Sequence, residues 1–138
     1  MTINTMASRP NPGQTPPAAQ MLTGFSKFAG APGWTPAVNL YESAEAYVVC
    51  VDLAGVDKDK IAVDVGSGVL SLRGNRLPPN KACPPEGLGL AQCRIHVMEI
   101  DDGPFSRQVE LPSDVNEQAI CARYRDGLLW IELPRTHK

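Results

Sequence analysis

The sequence predicts an all-β fold, an antiparallel β-sandwich or a barrel. Apolar and polar residues alternate in several short segments, which Gly-rich turns separate at intervals of roughly ten residues. No long segment with helical periodicity competes with this pattern. The clearest turn is Asp126-Gly127 between two alternating runs, because Gly readily adopts the positive φ that a tight hairpin needs.

The predicted strands follow one another from Trp34 onward. In the first strand Val38 and Leu40 alternate with Asn39 and Tyr41, and the second is rich in valine, as buried strands are. The strand patterns after the first lie at 46–53, 61–65, 69–73, 94–99, 105–111, 120–125 and 128–133. Between two of them, residues 75–94 carry two Pro-Pro pairs and two glycines, which predicts a long irregular loop.

In the last strand pair, charged and apolar residues are expected on opposite faces. Arg123 and Arg125 are expected to point away from the core. Six residues are expected on the opposite, apolar faces of the two strands: Ile120, Ala122, Tyr124, Leu129, Ile131 and Leu133.

Three segments of different composition divide the chain. Residues 1–33 are rich in proline and contain no acidic residue, which predicts a flexible N-terminal arm. Residues 34–134 form the predicted domain and residues 135–138 a short tail. Four apolar residues of the arm would share one side of a short helix: Met21, Leu22, Phe25 and Phe28. They either pack loosely on the domain or form an apolar surface that contacts other hydrophobic surfaces. Composition does not decide between these alternatives.

The composition excludes several classes of function. The 138 residues are 43% hydrophobic with a net charge of −2, so binding to nucleic acid or to a membrane surface is not expected. No apolar run is long enough to cross a membrane, and no secretory signal pattern is present. The expected compartment is therefore the cytoplasm.

Residues that could carry enzyme chemistry are few. His96 and His137 are the only histidines, and neither a nucleophile motif nor a phosphate-binding glycine loop accompanies them. We therefore predict no catalytic residue, no cofactor and no metal site.

The four cysteines fall into two pairs. Cys50 and Cys121 lie within apolar strand patterns and are expected to be buried as small hydrophobic residues. Cys83 and Cys93 lie in the irregular loop and lack the spacing of a zinc site. A redox or metal switch through this second pair is a minor alternative.

Several motifs occur in a fixed order along the domain. They lie at 34–42, 47–61, 63–74 and 98–112, followed by an ending that carries Ala122, Asp126-Gly127 and Leu129. Together they resemble the α-crystallin domain of small heat-shock proteins of the bacterial type, over about residues 34–134. The chain departs from that pattern at Ala54, where proline is usual, and in its longer loop. The resemblance implies an immunoglobulin-like antiparallel β-sandwich.

The resemblance also implies a homodimer made by strand exchange. The exchanged strand would be Ile95, His96, Val97 and Met98, and the accepting strand of a second subunit would be Val38, Asn39, Leu40 and Tyr41. Arg107 would be the basic residue of that interface. An open edge strand and a long connector favour exchange. The alternative is that residues 95–98 fold back on their own sheet.

The resemblance further implies an ATP-independent holdase, which holds partly unfolded client proteins through apolar surface. The candidate client contacts are the arm residues Met21, Leu22, Phe25 and Phe28 and the groove residues Val63, Val65, Ile120 and Ala122. Core packing is the alternative for each, and it is favoured for Val65 and Ile120. A co-chaperone adaptor of the p23 type shares the sandwich and is the alternative function.

The C-terminus bears on the expected assembly size. Many family members continue into a tail with an Ile-x-Ile or Ile-x-Val motif that docks into a neighbouring groove. Here Ile131-Glu132-Leu133 belongs to the last strand and only four residues follow Pro134. We therefore expect a dimer or small oligomer, whose groove stays open and whose larger assembly, if any, depends on the N-terminal arm.

Overall fold

The computed structural model describes residues 2–5, 33–82 and 84–136, and they form two four-stranded sheets packed face to face. The strands are β1 (Thr2–Thr5), β2 (Val38–Glu42), β3 (Ala46–Asp52), β4 (Ile61–Gly66), β5 (Val69–Arg76), β6 (Gly103–Glu110), β7 (Cys121–Arg125) and β8 (Leu128–Pro134). The first sheet has the order β1-β4-β5-β6 and the second the order β2-β3-β8-β7. All neighbouring strands are antiparallel except β1 and β4. The predicted sandwich is confirmed.

Short helical turns occur only in the connections of the described residues. They are the helix α1 (Pro79–Ala82) and two 3-10 turns, Lys58–Lys60 and Leu90–Gln92. Within the described part of the chain, no helix has the length and apolar character needed to cross a membrane.

The core lies between the sheets and follows the alternation of the sequence. In β4 the residues Ile61, Val63 and Val65 are buried while their neighbours are half-buried. The largest fully buried side chains include Leu53, directly after β3, and residues of both sheets: Val49, Val51, Ile61, Val63, Val65, Leu70, Leu72, Leu129, Ile131 and Leu133. Burial of this apolar surface is the main stabilising contribution to the fold.

The β7–β8 hairpin has the predicted turn. Asp126 and Gly127 have φ values of 53° and 81°, as a two-residue hairpin with positive φ at both central positions requires. The carbonyl of Gly127 also accepts a hydrogen bond from the amide of Leu53 at 2.9 Å. The turn thus connects the hairpin to the end of β3.

The two cysteines predicted to be buried differ in their exposure. Cys50 is 8% exposed in β3, as predicted. Cys121 is exposed, so that prediction is wrong. Cys121 precedes the inward-facing Ala122 on the edge strand β7, and a strand places consecutive side chains on opposite faces.

The strand β1 was not foreseen, because Thr2–Thr5 falls within the expected flexible arm. It pairs in parallel with β4, with Ile3 opposite Val63, and Ile3 packs against the core. The outer edge of β4 is therefore covered, and this side of the expected groove is not open. The arm residues Met21, Leu22, Phe25 and Phe28 lie outside the described residues, as do Cys83 and His137.

Candidate functional site

A run of exposed apolar side chains lies at the end of the long loop between β5 and β6. Ile95, Val97, Met98 and Ile100 are 64, 73, 60 and 62% exposed. Residues 93–101 form no strand within the described part of the chain, although 94–99 alternates as a strand does. The alternative in which 95–98 folds back on its own sheet is therefore not what the chain adopts.

The strand β2 lies at one edge of the second sheet. It pairs with β3 from Val38 opposite Val51 to Glu42 opposite Tyr47, and no other strand of the described residues pairs with its far edge. Leu40 lies directly opposite the buried Val49, so the two side chains share the core-facing side of the sheet. Leu40 is nevertheless 45% exposed, which leaves an uncovered apolar position at this edge.

The predicted interface residue Arg107 reaches the segment that leads into β2. Its Nη1 donates a hydrogen bond to the carbonyl oxygen of Pro36 at 3.4 Å, and its side chain is half-buried. Arg107 lies on β6, whereas Pro36 precedes β2 in the other sheet. The structure therefore brings Arg107 close to the start of the predicted accepting strand.

The groove candidates divide into buried and half-buried residues. Val63 and Val65 have zero exposure, since both point from β4 into the core. They are not available to a client in this conformation, so core packing describes them better than client contact. Ile120 and Ala122 are half-buried and pack against the same core, and their contact with clients stays a prediction.

An exposed aromatic side chain on the outer face of the second sheet was missed. Trp130 is 39% exposed and lies opposite Arg123 of β7. Its neighbours Leu129 and Ile131 are fully buried, so alternation alone places Trp130 on the outside. The hollow beside it is shallow and is also lined by Cys121.

The thiols and acidic groups of the described residues do not form a metal centre. No group of three or more His, Cys, Asp or Glu side chains in the described part could hold a metal ion. The Cys93 thiol donates to the carbonyl of Gly89 at 3.3 Å. Burial raises the pKa of the Cys50 thiol, which makes it a poor nucleophile.

The chain matches a known protein family and several of its curated members. The match to "Hsp20/alpha crystallin family" covers residues 39–138. The chain is 29% identical to small heat shock protein C4 of Rickettsia felis, over 73% of this chain and 57% of that protein. It is 33% identical to the 17.7 kDa class II heat shock protein of Arabidopsis thaliana, over 80% of this chain and 67% of that protein.

Solved structures show the same fold. The hspA of Xanthomonas axonopodis is 31% identical with a TM-score of 0.60, over 74% of this chain and 94% of that one. Heat shock protein 16.0 of Schizosaccharomyces pombe is 28% identical with a TM-score of 0.63, over 76% and 90%.

The lengths of the relatives differ from that of this chain. The aligned part spans 57% and 60% of two small heat shock proteins of Rickettsia felis, C4 and C2. Within that part, the family match covers nearly all of the sandwich and the solved structures share its architecture. The chain therefore belongs to the Hsp20/alpha crystallin family.

Proposed function

We propose that the chain is an ATP-independent holdase that works as a homodimer formed by strand exchange. In this dimer, Ile95, His96, Val97 and Met98 of one subunit pair with Val38, Asn39, Leu40 and Tyr41 of the other. One observation carries the proposal: a single chain holds both an exposed, alternating apolar segment and an edge strand with uncovered apolar side chains.

The faces of the two segments support this pairing. In an added strand Ile95 and Val97 would share one face, because they are two residues apart. Leu40 offers an uncovered apolar position on the core side of β2. Addition of a strand gives main-chain hydrogen bonds along the edge and buries these side chains together.

The connector is long enough to carry the segment away from its own domain. Residues 77–94 separate the end of β5 from Ile95. An extended chain spans at most about 3.5 Å per residue, so this connector reaches up to roughly 60 Å. That is well beyond the width of one sheet of four strands, which are spaced about 4.8 Å apart.

Client binding would rest on apolar surface that remains exposed. A partly unfolded protein presents apolar area, and covering it is worth about 25 cal/mol per Å². Among the described residues, the exposed Trp130 offers apolar area to a client, and the half-buried Ile120 and Ala122 offer a smaller part of theirs. The arm residues Met21, Leu22, Phe25 and Phe28 remain candidate contacts.

An aggregation assay tests the holdase proposal. A heat-labile enzyme is warmed without ATP, alone and with a several-fold excess of this protein, and turbidity is followed. We expect the wild-type protein to suppress turbidity. The double substitution Phe25→Ser and Phe28→Ser should reduce the suppression several-fold, because it removes apolar contact area from the arm.

The control is a second arm variant, Gln20→Ser with Thr23→Ser, which replaces polar residues by polar residues and should act like wild type. Unchanged turbidity with the wild-type protein would reject the holdase function and favour the p23-like adaptor. Full suppression by the phenylalanine variant would remove the arm from the client surface while leaving the holdase function in place.

A further inference from the structure

One arginine connects three separate segments at the base of the long loop. Arg76 is the last residue of β5. Its Nε and Nη2 donate to the carbonyl oxygen of Asp101 at 2.9 and 2.6 Å, and its Nη1 donates to the carbonyl oxygen of Ala54 at 3.2 Å. The guanidinium also lies 4.0 Å from the centre of the Trp34 ring.

These contacts hold together the two ends of the loop that carries Ile95 and Val97. Arg76 pairs with Gly103 at the end of the β5–β6 ladder, so the loop begins and ends there. Asp101 lies two residues before that pair. The indole Nε1 of Trp34 donates to the carbonyl oxygen of Gly103 at 3.1 Å, which holds the returning strand from the other side.

The shape of the side chain suits this role. A guanidinium has five N–H donors in a planar fork and can stack on an aromatic ring, whereas the ammonium of lysine is a point charge. Here the fork reaches two carbonyl groups while its face meets an indole. Lysine could keep the positive charge near Trp34 but could not make the paired contact with Asp101.

We propose that Arg76 is a positioning residue for strand exchange, which holds both ends of the loop together so that residues 95–100 project from the domain toward a second subunit. The inference rests on the strand-exchange dimer proposed above. Because the two ends of the loop are fixed, residues 95–100 lose less conformational freedom when they pair with a second subunit. The dimer is correspondingly tighter.

The test compares Arg76→Gln and Arg76→Lys with Arg73→Gln as the matched control. Arg73 lies on the same strand, is 69% exposed at its side chain and makes an ion pair with Asp64 at 3.5 Å. The dimer dissociation constant is measured by sedimentation over a dilution series, and a urea unfolding curve is recorded for each variant. We expect both Arg76 variants to raise the dissociation constant roughly tenfold or more and Arg73→Gln to change it less than about twofold.

The pair of measurements separates positioning from plain stability. A side chain that only stabilises the fold lowers the urea midpoint but does not change the affinity between folded subunits. If Arg76→Gln does not fold, Arg76→Lys carries the test, since it keeps a cation beside Trp34. Folded Arg76 variants that dimerise like Arg73→Gln, or a full rescue by lysine, would overturn the role of Arg76 alone. A wild-type protein that stays monomeric would overturn the strand-exchange dimer, and this role with it.

Discussion

Among single residues, Asp114 joins Tyr47 and Arg135 at the end of the sandwich where β8 ends. Its Oδ1 accepts a hydrogen bond from the Tyr47 hydroxyl at 2.7 Å, and its Oδ2 accepts one from Nε of Arg135 at 2.7 Å. The hydrogen bond from Tyr47, followed by that from Arg135, lowers the pKa of Asp114. The same hydrogen bond, together with desolvation, raises the pKa of Tyr47 to about 12. The cluster attaches the end of β8 to β3 through three side chains.

These pKa shifts predict how stability depends on pH. A carboxyl whose pKa is lowered by folding contributes stability above its unfolded pKa, near 4, and loses it as the pH falls through the folded pKa. Tyr47 behaves in the opposite sense: its contribution is complete below about pH 10 and is lost as the pH rises toward about 12. We expect Asp114→Asn to lower the urea midpoint at neutral pH and to reduce the further loss below about pH 4.

The matched control for this measurement is Asp126→Asn. Asp126 is 87% exposed at its side chain and lies 3.6 Å from Nε of Arg125, so its ion pair is open to solvent and weak. The urea midpoint of the Asp126→Asn variant should follow that of the wild-type protein from about pH 7 downward. If the urea midpoints of Asp114→Asn and wild type fall in parallel as the pH is lowered, this acid sensitivity does not come from Asp114.

At the level of elements, alternation was enough to predict β2 to β8. It is clearest in β4 and β8, where alternate residues are buried against the other sheet. It could not predict β1, a four-residue segment with one apolar residue, Ile3, whose pairing depends on the free edge of β4. It also could not tell which chain supplies a neighbour for 95–98. Alternation reports a face that can be buried, and the partner is a property of the tertiary or quaternary structure.

The residues of the predicted site differ in their exposure for the same reason. The family resemblance identified Leu40 and Val97, which the structure shows exposed. It also identified Val63, which is fully buried because alternate residues of β4 all face the core. Arg76 was missed, since no pattern in the sequence shows which carbonyl groups a surface arginine will meet.

The close approach of β5 to β6 gives a prediction for an element contact. A Cβ at Gly74 would lie 2.5 Å from Cζ of Phe105 and 2.6 Å from the carbonyl oxygen of Lys60. Phe105 is 3% exposed and its ring centre lies 5.2 Å from that of Trp34, so it has little room to move. We expect Gly74→Ala to destabilise the fold by about 2 kcal/mol or more in urea unfolding.

The control is Gly33→Ala, where the nearest atom to an added Cβ is the carbonyl oxygen of Pro104 at 3.8 Å. That is ordinary contact, and the change should stay within about 0.5 kcal/mol of wild type. A Gly74→Ala protein as stable as the Gly33→Ala protein would show that the β5–β6 contact can relax.

On the scale of the whole molecule, the sheet edges are protected to different degrees. The edge of β4 is paired with β1, and β6 is partly covered where Trp34 bridges to Phe105. The edge strand β7 is short and carries Arg123 and Arg125, charges that oppose addition of another strand. The edge of β2 instead shows Leu40 and Tyr41, 45 and 49% exposed. Compared with β4, β6 and β7, β2 is therefore the best suited to accept a strand from a second subunit.

Strand exchange at this edge predicts different effects for two apolar residues of the same loop. Val97 lies in the proposed exchanged strand and Leu88 outside it, and both are exposed in the single chain, at 73 and 54%. In the dimer Val97 would face buried surface, where an unpaired carboxylate costs several kcal/mol. Val97→Asp should therefore raise the dimer dissociation constant at least about a hundredfold, whereas Leu88→Asp should leave it nearly unchanged.

Sedimentation velocity of the two variants at matched concentrations measures this difference, and circular dichroism confirms that both fold. Because Val97 and Leu88 are exposed in the monomer, neither substitution should lower the monomer's own stability by more than about 0.5 kcal/mol. Loss of the dimer in both variants would indicate that the loop contributes through its general apolar character and not through a registered strand. A Val97→Asp protein that still dimerises like wild type would place the dimer contact elsewhere on the molecule, away from the open edge of β2.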